Sequence, residues 1–395
     1  MIRKEVKETQ KETKKNKNKS PHQPLTFLSL PDEIIENILA RISKWNYPNL
    51  SLVSKRFLSI LSSPQIYTTR SNIGTSEPCL YFCLELPDQS PEWYTLWMKP
   101  AKTLTDDGDD DNDISDEFSL VPVPCYPHLH CATYVSTVDV GSEIYLFGAS
   151  YGETPSSAVR ILDCRSNMWR DGPNMMVARE CADAFFFDGN IYVMGGCGKD
   201  ESIAWVEVLD IKTQTWSSLP SHGADDELRV SSEQGLTISM LEIYAIIDDK
   251  KDYAYDLIKR TWEVVETHSN NIRRYTWCVI ENVVYAYTYS NICMWYETKS
   301  KKWREVKGSN LELLLGKKTP PGYVLNLVTY GGKLLVLWMT FHIDNAKQIK
   351  RIRCAKMALE KHHGGEVLGK MEWVNTVLTV PESFEFLSSC VVVSI

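Results

Sequence analysis

Residues Arg179–Pro220 read RECADAFFFDGNIYVMGGCGKDESIAWVEVLDIKTQTWSSLP, four short strand-like runs in succession. The runs are Ala182–Phe187, Ile191–Met194, Ala204–Asp210 and the segment around Trp216. Each is bounded by turn chemistry. Asp188-Gly189-Asn190 closes a tight hairpin, Gly195-Gly196 breaks the second run, and Lys212-Thr213-Gln214 separates the third from the tryptophan. Together they predict one antiparallel four-stranded sheet of about forty residues. A sheet with two apolar faces cannot stand alone, so copies of it must lie on either side.

The copies are found by period. Trp169, Trp216, Trp262 and Trp303 recur at about 40–50 residues, the spacing of a propeller blade. An aspartate-, glutamate- or tyrosine-bearing strand precedes each: Ile161-Leu162-Asp163, Val208-Leu209-Asp210, Tyr255-Asp256 and Trp295-Tyr296-Glu297. With its double glycine Gly195-Gly196, its third strand and Trp216, the repeat resembles the kelch family. The match is worn elsewhere: Gly148-Ala149, Ile246-Ile247 and Tyr287-Thr288 stand where the double glycine would be. The resemblance implies a mainly β fold, a kelch-type β-propeller over 79–395. An unrelated β-sandwich has no reason to repeat at a fixed period.

Blades are expected at 132–169, 178–216, Val230–Trp262, Tyr275–Trp303 and Val324–Trp373. The last is expected to carry an insertion around Ile343–Gly369, basic near Lys347–Lys356. The runs Cys79–Leu86 and Trp93–Met98 begin an incomplete first blade, interrupted by an acidic loop at 105–118. The strand 384–393 is expected to complete that blade and close the ring, removing two exposed sheet edges. This count comes to six blades, and five or seven fit the same period.

Ahead of the propeller the pattern is helical. In Leu30-Pro31-Asp32-Glu33-Ile34-Ile35-Glu36-Asn37-Ile38-Leu39-Ala40-Arg41-Ile42 the proline suits a first turn, and the acids favour the helix N-terminus. Ile34, Ile35, Ile38, Leu39 and Ile42 make one apolar face. Leu50, Val53, Phe57, Leu58 and Leu61 give a second stripe, which Ser62-Ser63-Pro64 ends. A unit this small has more aliphatics than it can bury, so a partner is implied. Leu30-Pro31 and Leu52-Val53-Ser54-Lys55-Arg56-Phe57 closely resemble the start and core of an F-box, the resemblance running from Phe27 to about Tyr67. It implies a small three-helix domain at 25–67 that docks on a Skp-type adaptor and, through it, on a cullin. Leu30, Pro31, Ile34, Ile38, Leu39, Leu50 and Val53 are the expected contacts or supports. A polar connector is expected at 68–78, and residues 1–24, lysine-rich and poor in large apolar residues, read as a disordered basic tail.

Composition sets limits. A net charge of -8 argues against general nucleic-acid binding. The longest apolar runs, such as Leu334–Met339, fall far short of a membrane span. Eleven cysteines form an odd set without a tight framework, which points to buried thiols in a reducing compartment, the cytoplasm or nucleus. Cys125, His128, His130 and Cys131 lie too close together for zinc. The acidic run Asp106–Glu117 lacks the closing glutamate and helices of a calcium loop. Neither a metal nor a cofactor is expected. Some kelch propellers house copper oxidases, but the eight histidines here lie mostly in tail, turn or insertion segments.

Arg179, Arg229 and the pair Arg273-Arg274 each follow a blade tryptophan and precede the next inner strand, with Lys317 and Lys318 extending the series. Blade symmetry would gather them near the central channel as a binding site for an acidic or phosphorylated peptide. Separate surface arginines or structural ion pairs are the competing reading. The functional expectation is a non-catalytic substrate receptor of an SCF-type ubiquitin ligase, helices holding the adaptor and propeller holding a protein target. The alternative is a kelch interaction scaffold that docks on no adaptor.

Overall fold

The computed structural model describes residues 27–85, 92–99, 118–124, 135–149, 154–197, 205–219, 235–239, 242–247, 251–256, 261–265, 274–281, 283–288, 292–297, 299–300, 302–308, 323–344, 347–362, 365–384 and 386–395. The expected tail, the acidic loop and the Cys125–Cys131 run fall outside them, apart from Phe118.

The chain opens with α1 (Asp32–Leu39), α2 (Tyr47–Ser51), α3 (Lys55–Leu61) and α4 (Gln65–Asn72). Pro31 precedes α1 and Asp32 and Glu33 occupy its first turn, where their charge meets the free N–H groups. The Ser54 side chain caps α3 by accepting from the Phe57 N–H at 3.1 Å. Ile35, Leu39, Ala40, Tyr47, Phe57, Leu61 and Ile66 form the core. Four α-helices therefore replace the expected three, and the expected connector at 68–78 is helical as far as Asn72. QIYTTRSN has no apolar stripe because it buries one aliphatic residue, Ile66, and one arginine, Arg70. The arginine does what a second aliphatic would. Its Nη1 donates to the carbonyls of Ala40 at 3.1 Å and Ile42 at 2.7 Å, holding α4 against the end of α1.

The described strands then make six four-stranded antiparallel sheets. The first contains β1 (Pro78–Glu85), β2 (Glu92–Met98) and β3 (Phe118–Pro122). The second is β4 (Ser136–Val140), β5 (Glu143–Phe147), β6 (Val159–Asp163) and β7 (Met168–Asp171); the third is β8 (Asp183–Phe187), β9 (Asn190–Met194), β10 (Val206–Asp210) and β11 (Thr215–Ser218). The fourth is β12 (Gly235–Ser239), β13 (Glu242–Ile247), β14 (Lys251–Asp256) and β15 (Thr261–Val265). The fifth is β16 (Arg274–Ile280), β17 (Val283–Thr288), β18 (Cys293–Glu297) and β19 (Lys302–Glu305). The sixth is β20 (Tyr323–Tyr330), β21 (Lys333–Asp344), β22 (Lys347–Lys361) and β23 (Val367–Pro381). Finally β24 (Phe386–Ser394) pairs with β1, from Pro78↔Ser394 to Glu85↔Phe386, so the first sheet runs β24-β1-β2-β3. The innermost strands β24, β4, β8, β12, β16 and β20 touch in that order, and β20 touches β24. The fold is a mainly β propeller preceded by a helical unit.

The repeat is visible in the burial of single strands. β5 and β9 share one pattern, buried on both faces after the first residue, because each sheet is packed between two neighbours. β7, β11 and β19 share another, in which only the tryptophan is turned inward. Each outer strand is thus anchored by a single large side chain. Trp169 Nε1 donates to the Pro124 carbonyl and Trp216 Nε1 to the Pro173 carbonyl, both at 2.8 Å. Each indole ties its sheet to the loop before it, so the sequence period reappears as a hydrogen bond. The sixth sheet departs from expectation. No insertion interrupts it between Ile343 and Gly369. Instead β21 and β22 run 12 and 15 residues as one hairpin. The basic residues are accommodated within the strand: Arg353 lies 5.8 Å over the Trp338 ring, and Lys350 lies 5.8 Å over that of Phe341.

Candidate functional site

Two surfaces were candidates, the helical face and the arginine series. On α1 the spacing of four separates Ile34 and Ile38 from Ile35 and Leu39, which point to the core. Ile34 is 49% exposed and Leu39 only 1%. The bend after α2 leaves Leu52 and Val53 84% and 59% exposed, and α3 adds exposed Leu58. Arg56 fastens the two parts: its Nε donates to Asp32 Oδ1 at 2.5 Å and its Nη2 to the Leu30 carbonyl at 2.7 Å. Of the seven expected contacts, Pro31, Ile34, Ile38 and Val53 lie on the surface. Leu30 and Leu50 are half-buried against the helical core, and Leu39 is within it. Those three support the face from below. Leu52 and Leu58, together with Phe27 edge-on to Phe57 at 5.7 Å, extend the exposed apolar set and were not among the expected contacts. Leu52 could have been found from the sequence, because a leucine just before a capped helix start has no core to enter.

Of the arginine series only Arg179 has a described side chain. Arg229 and Arg273 lie outside the described residues, and Arg274 is placed only as backbone, pairing with Thr288. Arg179 is fully buried. Its Nε pairs with Glu207 Oε2 at 3.1 Å, and its Nη1 donates to the carbonyls of Gly195 at 2.6 Å and Trp205 at 3.0 Å. Its backbone is bound to the neighbouring sheet: the Arg179 carbonyl accepts from Ala149 at 3.0 Å and Ser156 at 3.1 Å, and its N–H donates to Ser156 at 2.9 Å. Arg179 is therefore a keystone between the second and third sheets and is unavailable to a ligand. Burial holds the Glu207 carboxyl above its ordinary range, the nearby guanidinium opposing that shift. The double glycine serves the same joint. A Cβ on Gly196 (φ +65°) would lie 2.2 Å from the Glu180 carbonyl oxygen, so only glycine lets the loop approach.

Between the inner strands runs a channel of about 510 Å³, lined among others by Thr137, Asp139, Phe186, Val279, Thr329 and Val392. Its one described carboxylate, Asp139, is raised above its ordinary value by burial among these walls, its own backbone N–H opposing the shift. Among the described residues no group of side chains could hold a metal ion, and no helix is long and apolar enough to cross a membrane.

Comparison with known proteins accounts for both parts of this architecture. The F-box domain family matches residues 27–69, and the family described as FKB95, Kelch-repeats domain matches 93–378. An F-box/kelch-repeat protein of Arabidopsis thaliana is 48% identical over 97% of each chain. A second, also an F-box/kelch-repeat protein of Arabidopsis thaliana, is 40% identical over 100% of each. The exposed face of α1 to α3 is thus the surface of an F-box, the sheets behind it are kelch repeats, and the chain belongs to the F-box/kelch-repeat family.

Proposed function

We propose that this protein is the substrate-recognition subunit of an SCF-type ubiquitin ligase, its F-box docking a Skp-type adaptor linked to a cullin, and its six sheets forming a closed wheel that holds a protein target. The observation that carries the reading is the exposed set Ile34, Ile38, Leu52, Val53 and Leu58 on a unit whose core is already complete. Aliphatic side chains in such number on so small a unit are stabilised only by a partner's apolar groove. The protein needs no nucleophile of its own. It contributes proximity, placing target lysines near the ubiquitin-loading enzyme. The nine described cysteines are all free, which supports a reducing compartment, cytoplasm or nucleus.

The direction of the strands supports one face of the wheel for the target. Ile395, after β24, pairs with Glu77 just below β1, and Tyr330, at the end of β20, donates through its hydroxyl to the Pro78 carbonyl at 3.1 Å. The ends of the innermost strands therefore lie on the helical side and their starts on the far side. β20 pairs with β21 only as far as Tyr323↔Met339, and β21 continues to Asp344. β23 accompanies β22 as far as Ile349↔Pro381 and Thr340 is buried, so only the tip of the β21–β22 hairpin reaches solvent on the far side. Near its tip Ile343 is 77% exposed. We assign target capture to this far face.

The test is capture of a purified Skp-type adaptor by the full chain and by Ile34→Asp/Val53→Asp. Wild type is expected to bind and the variant to fail at an unchanged unfolding midpoint, since both side chains are already in water. A folded wild type that captures no adaptor, where a verified F-box protein does, would leave only the interaction-scaffold reading.

A further inference from the structure

Where the helical unit meets the wheel, two buried cations lie close to one carboxylate, Glu77, which one of them meets directly. Lys44, only 4% exposed, begins a short 3-10 turn, Lys44–Asn46, and its backbone N–H donates to Glu77 Oε2 at 2.9 Å. Its ammonium donates to Cys79 Sγ at 3.4 Å and lies over the rings of Tyr67 and Trp97 at 5.2 and 5.3 Å. Cys79 and Trp97 belong to the first sheet, Tyr67 to α4. From α4, Arg70 Nη2 meets the same Glu77 Oε2 at 3.0 Å and donates to the Thr75 carbonyl at 2.6 Å. Its Nη1 holds the α1 end as described and the Tyr47 hydroxyl at 3.1 Å. The backbone of Glu77, meanwhile, exchanges two hydrogen bonds with Ile395, its N–H donating at 2.8 Å and its carbonyl accepting at 3.0 Å.

Two domains joined by a few residues ordinarily move relative to one another. Here the five residues after α4 do not act as a tether, because one of them, Glu77, is bonded to both bodies and to the strand that closes the wheel. A cation that only stabilised the helices would have no reason to reach the first sheet. A carboxylate that only closed the sheet would not gather a guanidinium and a backbone N–H from the helical side.

We propose that Glu77 is a positioning residue which, with Lys44 and Arg70, locks the F-box at one angle on the wheel, so that seating β24 on β1 and fixing the F-box are a single event. The use of that angle in ubiquitin transfer rests on the receptor reading; the lock itself does not. A chain whose β24 has not seated would keep an intact adaptor face on an unaligned arm.

The test measures the spread of one distance across the joint. Keto amino acids at Ser59 on α3 and Lys212 in the β10–β11 turn, both exposed, take spin labels without touching native thiols. Pulsed dipolar spectroscopy of the wild type should give one narrow distribution. Glu77→Ala should broaden it by about twofold or more as the bodies regain their default freedom. Glu77→Gln, which keeps an acceptor oxygen, should stay closer to wild type than Glu77→Ala, a graded rescue that a merely structural loss would not show. Adaptor capture by Glu77→Ala should be retained, so a wild type that captures no adaptor counts against the receptor reading and leaves the lock untouched. A broad wild-type distribution, or an unchanged one in Glu77→Ala, overturns the proposal. Should Glu77→Ala not fold, Lys44→Met decides: it keeps the backbone bond to Glu77 and removes only the ammonium. Broadening then supports the lock, and no broadening overturns it.

Discussion

Replacing Arg179 with alanine separates the two roles this residue could have had. On a recognition surface the change would cost target affinity and little stability. As a fully buried cation paired with Glu207 and bonded to the Gly195 and Trp205 carbonyls, it should do the reverse. Removing one partner of a buried pair leaves an uncompensated charge, at about 3–5 kcal/mol. That is a large share of the roughly 5–15 kcal/mol that holds a typical domain together. With a urea slope of about 3 kcal/mol/M, the midpoint should drop by about 1 M or more, at an unchanged slope. The pH dependence adds a check. Glu207 is already raised above its ordinary value of 4.5 by burial, and losing the guanidinium must raise it further. Below pH 4.5 the carboxyl is protonated in both folded and unfolded chains and the cost is smallest. As pH rises the unfolded chain ionises first, so the variant loses further stability relative to wild type until its own Glu207 has ionised. Arg179→Met/Glu207→Leu, which removes the charge along with its partner, should recover much of the loss. Urea unfolding followed by tryptophan fluorescence at pH 4, 6 and 8 makes the measurement. A variant that unfolds at the wild-type midpoint while losing its target would refute this account and return Arg179 to the binding surface.

Two further outcomes are expected. Gly196→Ala forces a left-handed alanine and sets its methyl 2.2 Å from the Glu180 carbonyl oxygen, whereas Gly189→Ala, at φ +77° in the β8–β9 turn, meets nothing within 4 Å. Both carry the conformational cost of about 1–2 kcal/mol, and only the first adds a backbone collision, so equal unfolding midpoints would show the glycine loop to be less closely packed than described. Asp139→Asn should stabilise the wheel at neutral pH, because the folded carboxyl is raised above its ordinary 3.8 by burial. Its penalty is absent below that value and grows as pH rises toward the folded pKa. The gain in Tm should therefore disappear at pH 3, and a gain independent of pH would assign the effect to packing.

What could be read before folding was what depends on neighbours in the chain. The α1 face and the stripe ending at Leu61 follow from a period of 3.6, and the third sheet from turns such as Asp188-Gly189-Asn190, whose geometry is set within a few residues. The outer tryptophans of β7, β11 and β19 were legible because each fills the same single gap. The adaptor face could be read as a set of residues but not as a surface: Leu39 and Ile38 are adjacent in sequence, and only the packing of α3 and α4 decides that one is buried and the other exposed.

The misreadings share a cause. α4 was taken for a connector because its anchor is an arginine, and an arginine counts as apolar packing only once Ala40, Ile42 and Tyr47 stand around it. β22 was read as a basic insertion because KQIKRIR looks solvated, until Lys350 is seen donating to the Phe384 carbonyl at 2.6 Å. For Arg179 the sequence left ring member and structural ion pair both open, and the pairing with Glu207 chooses the second. Sequence alone thus determined most of the helices and sheets and that the sheets repeat, since propensity, turn chemistry and period are local. Tertiary structure alone decided which charges face water, since a cation's fate rests on carboxylates and carbonyls about 16 to 28 residues away, and desolvation acts only where those distant groups have closed around it.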